Sequence, residues 1–193
     1  MKQPTGRLRL IFVVSLVVSI ICNGTISYLM WLSGTSLPEY FRVLFSLDVG
    51  LTRDYVDSLR GPSARSWMTI LYAVDFVFFV ALGVMASSAS ILICRNEKAF
   101  GVLSKLGKPF AVVGILMIAI DFAESCLAVY MFTSSPTYPD WIAIPHSLLF
   151  ILAIVVDGTA GLFLLTSLLA SIIRRAISIR KERKGTAVRS DCC

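Results

Sequence analysis

The sequence predicts an all-α membrane protein: a four-transmembrane-helix bundle with short amphipathic helices in its first loop. Three observations lead there. Hydrophobic residues make up 56% of the 193 and charged ones only 16%, with a mean hydropathy of +0.80. A soluble domain carries about a quarter charged residues and needs them to cover its core. Four apolar runs each supply the ~20 residues that cross a hydrocarbon core as a helix. The basic residues, finally, gather in alternate connections. These spans use up the chain, so residues 1–193 read as one membrane domain with no room for a separate soluble one.

The spans are placed at about 10–32, 67–94, 109–132 and 142–173. Lys2, Arg7 and Arg9 precede the first run, as in a signal peptide. Its apolar stretch outlasts a signal's core of about 7–15 residues, so it reads as a retained span. Asn23-Gly24-Thr25 matches a glycosylation sequon, and in mid-span it reads as a chance match. Pro109 and Pro145 are expected at or near helix starts, where a missing amide hydrogen costs little. Trp31, Trp67 and Trp141 mark the ends of runs, as interfacial aromatics do.

Of the 18 Lys and Arg residues, all but four lie in the N-terminus, the 95–108 loop and the 174–193 tail. The 33–66 loop balances its four with Glu39, Asp48, Asp54 and Asp57, and the 133–140 loop has none. The positive-inside rule then puts both termini and the 95–108 loop in the cytoplasm and leaves 33–66 as an outer loop. Within it, Phe41, Leu44 and Phe45 share one helical face, as do Tyr55, Val56 and Leu59. Thr52 is a plausible N-cap for the second short helix, with Gly61-Pro62 ending it. Such a pair lies on the membrane surface or caps the bundle, or else forms a lid over a site between the spans.

Four carboxylates fall inside the spans: Asp75 in the second, Asp121 and Glu124 in the third, and Asp157 in the fourth. No Lys or Arg accompanies them there. A charge at mid-bilayer costs about 2.5–3.5 kcal/mol on insertion scales, so these acids should face one another, a polar cavity or a partner. Asp121 and Glu124 share a face with Ser125 and Ala128. Asp75 and Glu124 sit at matched depth, about 12 Å below the outer surface, and can meet if their helices are neighbours. His146 lies on the same face as Asp157 and nearer the outer surface, while Asp157 is expected deeper, at a separate polar spot. Asp75, Asp121, Glu124, Asp157 and His146 are therefore the candidate polar site.

Two readings compete. The acids are protonated and tie helices together, with Tyr72, Ser125 and Thr159 as candidate partners. Alternatively they bind a proton, a cation or the cationic head group of a ligand. The first makes the chain a structural or partner-binding subunit, the second a membrane protein with an intramembrane acidic site. An enzyme is a third reading, but one histidine and no evident nucleophile–base pair leave the acids alone to do chemistry.

The lone histidine provides no zinc spacing, and no cofactor, metal or nucleic acid is implied. Ala81, Gly83, Ala86, Ser87, Ser88, Ala89 and Ser90 crowd the second run, and Gly158, Ala160 and Gly161 the fourth. Such residues let helices approach closely, within a bundle or between copies in a homo-oligomer. Cys22, Cys94 and Cys126 fall in apolar runs, which argues against a disulfide-stapled outer loop. The basic tail is a stop-transfer flank and a candidate contact for anionic membrane lipids. Cys192 and Cys193, at the end of that tail, are candidate lipidation sites.

The stretch LTRDYVDSLRGPSARSWMTILYAVDFVFFVAL, from Leu51 to Leu82, and IDFAESCLAVY in the third span resemble an uncharacterised family of small four-span membrane proteins. That family has a capped outer helix, an LDxxFP-like second span and a DxxEN-like third span. The resemblance implies that Asp75, Asp121 and Glu124 occupy its acidic positions, and Arg65 and Trp67 its pre-span positions. Phe79 stands where the family commonly has proline, and Ser125 where it has asparagine. The resemblance covers about the middle half of the chain and supplies no substrate.

Overall fold

A computed structural model of the chain describes residues 5–59, 62–134 and 137–190. These residues are helical almost throughout, with no strand among them. In chain order the helices are α1 (Thr5–Ser33), α2 (Leu37–Ser46), α3 (Val49–Ser58), α4 (Pro62–Arg95), α5 (Glu97–Phe100), α6 (Leu103–Ser134) and α7 (Ala143–Ser190), the last entered through a 3-10 turn at Asp140–Ile142. Four segments are long and apolar enough to cross a membrane: Thr5–Ser33, Ser66–Arg95, Leu103–Ser134 and Asp140–Ile177. Cys192 and Cys193 lie outside the described residues.

The long helices are apolar all round, because both lipid and a bundle interior accept apolar side chains. Leu10, Ile20 and Ile21 of α1, Val112 and Ile115 of α6, and Leu162 and Leu168 of α7 are all more than half exposed. In water such surface would drive aggregation; against acyl chains it costs nothing.

Three boundaries differ from the sequence reading. Helix α6 starts at Leu103, so Pro109 lies inside it and not at its start. The start is set upstream by Gly101, whose φ of +56° turns the chain where a side chain would be strained. Helix α3 is capped by Asp48, which accepts from the Leu51 amide at 3.1 Å, whereas Thr52 sits in the first turn and donates to the Asp48 carbonyl at 2.9 Å. An aspartate ahead of the turn competes well for the orphan amides. Pro62 opens α4, its fixed φ suiting a first helical position.

α4 is central, packing extensively on both α1 and α6, while α7 packs mainly on α6. α1 and α7 have little or no contact with each other, which leaves a cleft between them. Glycines bring α4 and α6 together. A Cβ on Gly114 would stand 2.7 Å from the Gly83 carbonyl oxygen and 2.9 Å from the Ser87 amide nitrogen. One on Gly107 would stand 2.8 Å from the Cys94 amide nitrogen. Close approach also lets the Ser87 hydroxyl donate to the Ala111 carbonyl at 2.9 Å across the helices. Gly158 and Gly161 of α7 are different: nothing lies within 4 Å of where their Cβ would be.

The largest core lies at the α2–α3 end, where Val43, Tyr55, Val56, Met68, Tyr72 and Phe132 pack together. Arg53 of α3 fastens this cap to the connection before α7. It donates to the Tyr138 carbonyl at 2.8 Å, pairs with Asp140 and lies 5.1 Å from the Tyr138 ring centroid. Burial raises the Tyr138 phenol above its ordinary value and Arg53 partly offsets this. Arg53→Ala should cost about 1–2 kcal/mol through the charged hydrogen bond. Asp140→Ala should cost at most a few tenths, because that pair is exposed. Faster amide hydrogen exchange in α3 of the first variant, and not the second, checks the expectation.

Candidate functional site

Beneath α2, within the bundle, lies a cavity of about 250 Å³ walled by residues of α1, α2, α4, α6 and α7. All four intramembrane acids line it: Asp75 from α4, Asp121 and Glu124 from α6, and Asp157 from α7. Among the described residues, no Lys or Arg stands on its wall. Asp121 and Glu124 are 2% and 4% exposed, so three residues of spacing turn both inward on one face of α6. The Asp121 Oδ2 and Asp157 Oδ1 atoms are buried without a hydrogen-bond partner. Asp157 thus joins the other acids, contrary to the expectation of a separate polar spot. A depth counted along one helix ignores how neighbouring helices are staggered.

His146 meets the site from outside the cavity. It is 1% exposed, does not line the cavity, and holds Nε2 2.7 Å from Glu124 Oε1. The ring N–H does not aim squarely at that oxygen. Glu124 therefore has the cavity on one side and an imidazole on the other. The acids have no Lys or Arg beside them in the spans, and their basic neighbour is the single histidine. His146 is also on α7, not α6, so the pair spans two helices.

The hydrogen-bonding partners suggested for the acids are engaged elsewhere or unpaired. Tyr72 meets Tyr40, hydroxyl to hydroxyl, at 2.8 Å. Thr159 donates to its own helix at the Val155 carbonyl, and the buried Ser125 hydroxyl has no partner.

The roof is aromatic. Tyr40 and Phe41 of α2 line the cavity, and with Phe45 they pack on Phe150 of α7 at centroid distances of 5.9, 5.7 and 5.8 Å. With the Tyr40–Tyr72 contact, α2 is held to α4 on one side and α7 on the other, across the cavity top. Burial pushes the Tyr40 phenol well above its ordinary value, with Tyr72 adding to the effect, so Tyr40 stays neutral. The Tyr55 phenol, in the adjoining core, is pushed up to about 12, chiefly by burial. Phe78 and Phe79 of α4 complete the aromatic lining.

Asn23 also lines the cavity, from α1, and is exposed on its other side. Phe41 and Ile154 are both wall residues and 39% exposed. The cavity therefore opens sideways through the α1–α7 cleft. The sequence reading treated Asn23 as a chance sequon. An amide in the middle of an apolar run was itself the signal, since such groups seek polar company in lipid.

The described residues contain no cluster of His, Cys, Asp and Glu fit to hold a metal ion. No known protein family, curated protein or solved structure matches this chain.

Proposed function

We propose that this multi-pass membrane protein binds a small organic cation in the acidic cavity under α2. The observation that carries the reading is that four carboxyls and five aromatic rings surround one cavity of about 250 Å³, with no cationic side chain among its described wall residues. Aromatic faces attract an ammonium group, by about 2 kcal/mol when it is desolvated. The unpartnered oxygens of Asp121 and Asp157 offer acceptors that a buried site otherwise leaves unsatisfied at a cost. A mostly apolar pocket with a few convergent polar groups is what ligand sites generally look like.

Charge counting supports an orientation with both termini and the 95–108 loop in the cytoplasm, placing the cavity in the outer half of the bilayer. The basic tail then faces anionic cytoplasmic lipids. A second reading suits Glu124 alone: its pairing with His146 ties α6 to α7, a structural role that needs no ligand.

Butylamine binding to the purified protein in neutral-lipid nanodiscs tests the proposal. The Asp75→Asn/Asp121→Asn variant is expected to lose binding at least tenfold while remaining folded. Equal binding by the variant, or none by the native protein, would rule the site out. Lost stability with no binding in either protein would leave these acids as structural ties.

A further inference from the structure

A second hollow, of about 490 Å³, lies in the other half of the bundle. Its walls are apolar: Phe12 and Leu16 of α1, Met85 and Ala89 of α4, and Leu164 and Leu168 of α7 are among them. The same three helices wall the acidic cavity. The two sets of residues, moreover, fall on the same helical stripes. On α1 the positions run Phe12, Leu16, then Asn23, Ile26 and Met30. On α4 they run Met68, Leu71, Asp75 and Phe78, then Met85, Ala89 and Leu92. On α7 they run Phe150, Ile154 and Asp157, then Leu164, Leu168 and Ser171. Steps of three and four residues keep each stripe on one face, and each stripe skips a single step between the two hollows. The skipped positions are Ser19, Leu82 and Gly161, and Leu82 packs there on the buried cluster of Ala86, Met117 and Ala160.

The hollows are thus consecutive stretches of one cleft between α1 and α7, interrupted for about 10 Å. The interruption is slight on α7. Gly161 has no side chain, and nothing lies within 4 Å of where its Cβ would be. Leu82 is the only bulky side chain among the three. The upper hollow carries the acids and most of the aromatic rings; the lower one is lined mainly by apolar groups, with Ser167 and Ser171 of α7 as its polar exceptions.

We infer that the ligand is a single-chain cationic amphiphile, a long-chain primary amine, whose ammonium sits among Asp75, Asp121 and Asp157 and whose chain runs past Gly161 into the lower hollow. The inference rests on the proposed cation site and adds the tail. Charge complementarity selects the head. From Asp157 to Leu168 the groove extends about 16 Å along α7, a length that suits one alkyl chain, and the lateral opening lets such a molecule enter from the lipid. A phospholipid fits poorly, because its phosphate would face the carboxyls.

Chain burial alone gives no preference in a membrane, since the tail is equally apolar in lipid. The test therefore compares proteins, not only ligands. A dodecylamine carrying a diazirine near its chain end is photolysed with the full chain in phosphatidylcholine nanodiscs, and the labelled peptides are mapped. Labelling is expected on the stretches containing Phe12–Leu16 and Leu164–Ser171, to be competed by excess dodecylamine, and to fall at least fivefold in Gly161→Phe. That variant fills open space and is expected to fold. Labelling spread over the lipid-facing surface of all four spans, or unchanged in Gly161→Phe, would overturn the tail assignment. If butylamine binding is meanwhile retained and depends on Asp75 and Asp121, the cation site survives without the tail. If labelling of the groove persists in Asp75→Asn/Asp121→Asn, the head assignment fails as well.

Discussion

Gly114→Leu is expected to cost about 3 kcal/mol or more and to leave little folded protein after extraction. Overpacking a well-filled interior costs about 1–3 kcal/mol when side chains can shift. Here they cannot absorb it, because the groups that meet the new Cβ include backbone: the Gly83 carbonyl oxygen at 2.7 Å and the Ser87 amide nitrogen at 2.9 Å. Even alanine forces α4 and α6 apart. Separation would also break the Ser87–Ala111 bond. Gly158→Leu provides the matched comparison, since it adds the same side chain to a helical glycine with nothing within 4 Å. Denaturant-induced unfolding in detergent, followed by circular dichroism, should show the first variant far less stable and the second nearly unchanged. Equal losses would mean that the close approach of α4 and α6 is not what holds the bundle.

His146→Leu should also be damaging, by about 1–3 kcal/mol. Glu124 and His146 are both almost fully buried and lie within 2.7 Å of each other. Removing one member leaves the other's polar atoms buried with no polar neighbour, which costs about 1–3 kcal/mol. Glu124→Leu should cost a similar amount. The double variant, with leucine at both positions, should be more stable than the sum of the two losses predicts, because no polar group is then left unpaired. A coupling energy of about 2 kcal/mol between the two sites would be the signature. Simple additivity in that cycle would show that the pair is not an energetic unit. Glu124→Gln, which keeps a polar group facing the imidazole, should be the mildest of these changes.

Helix class and span number were legible because lipid imposes them: about 20 apolar residues with few charges have few other fates. The intramembrane acids were legible for the same reason, being costly wherever they sit. What they face was not. Asp157 and His146 share a helical face, yet Asp157 meets the cavity while His146 meets Glu124. That division depends on how α7 leans against α6, which no periodicity within α7 records. The cap of α3 was misplaced by four residues, because Asp48 and Thr52 both have N-cap chemistry and only the chain path chooses between them. At Asn23 the informative feature is its position, an amide in mid-span, and not the sequon it completes.

The spacing of the glycines on α4 and α6 bears on the mechanics of the bundle. Gly83, Gly107 and Gly114 lock those two helices at a separation with no slack. They act as a stiff spine, and Asp75, Asp121 and Glu124 are mounted on it. Asn23 and Asp157 ride instead on α1 and α7, which flank a cleft and barely touch each other. Three carboxyls therefore keep a fixed mutual arrangement, while the rest of the wall belongs to α1, α2 and α7. The pattern of carboxyls and the width of the hollow are in this way assigned to different parts of the molecule: the first to the spine, the second to the helices around it.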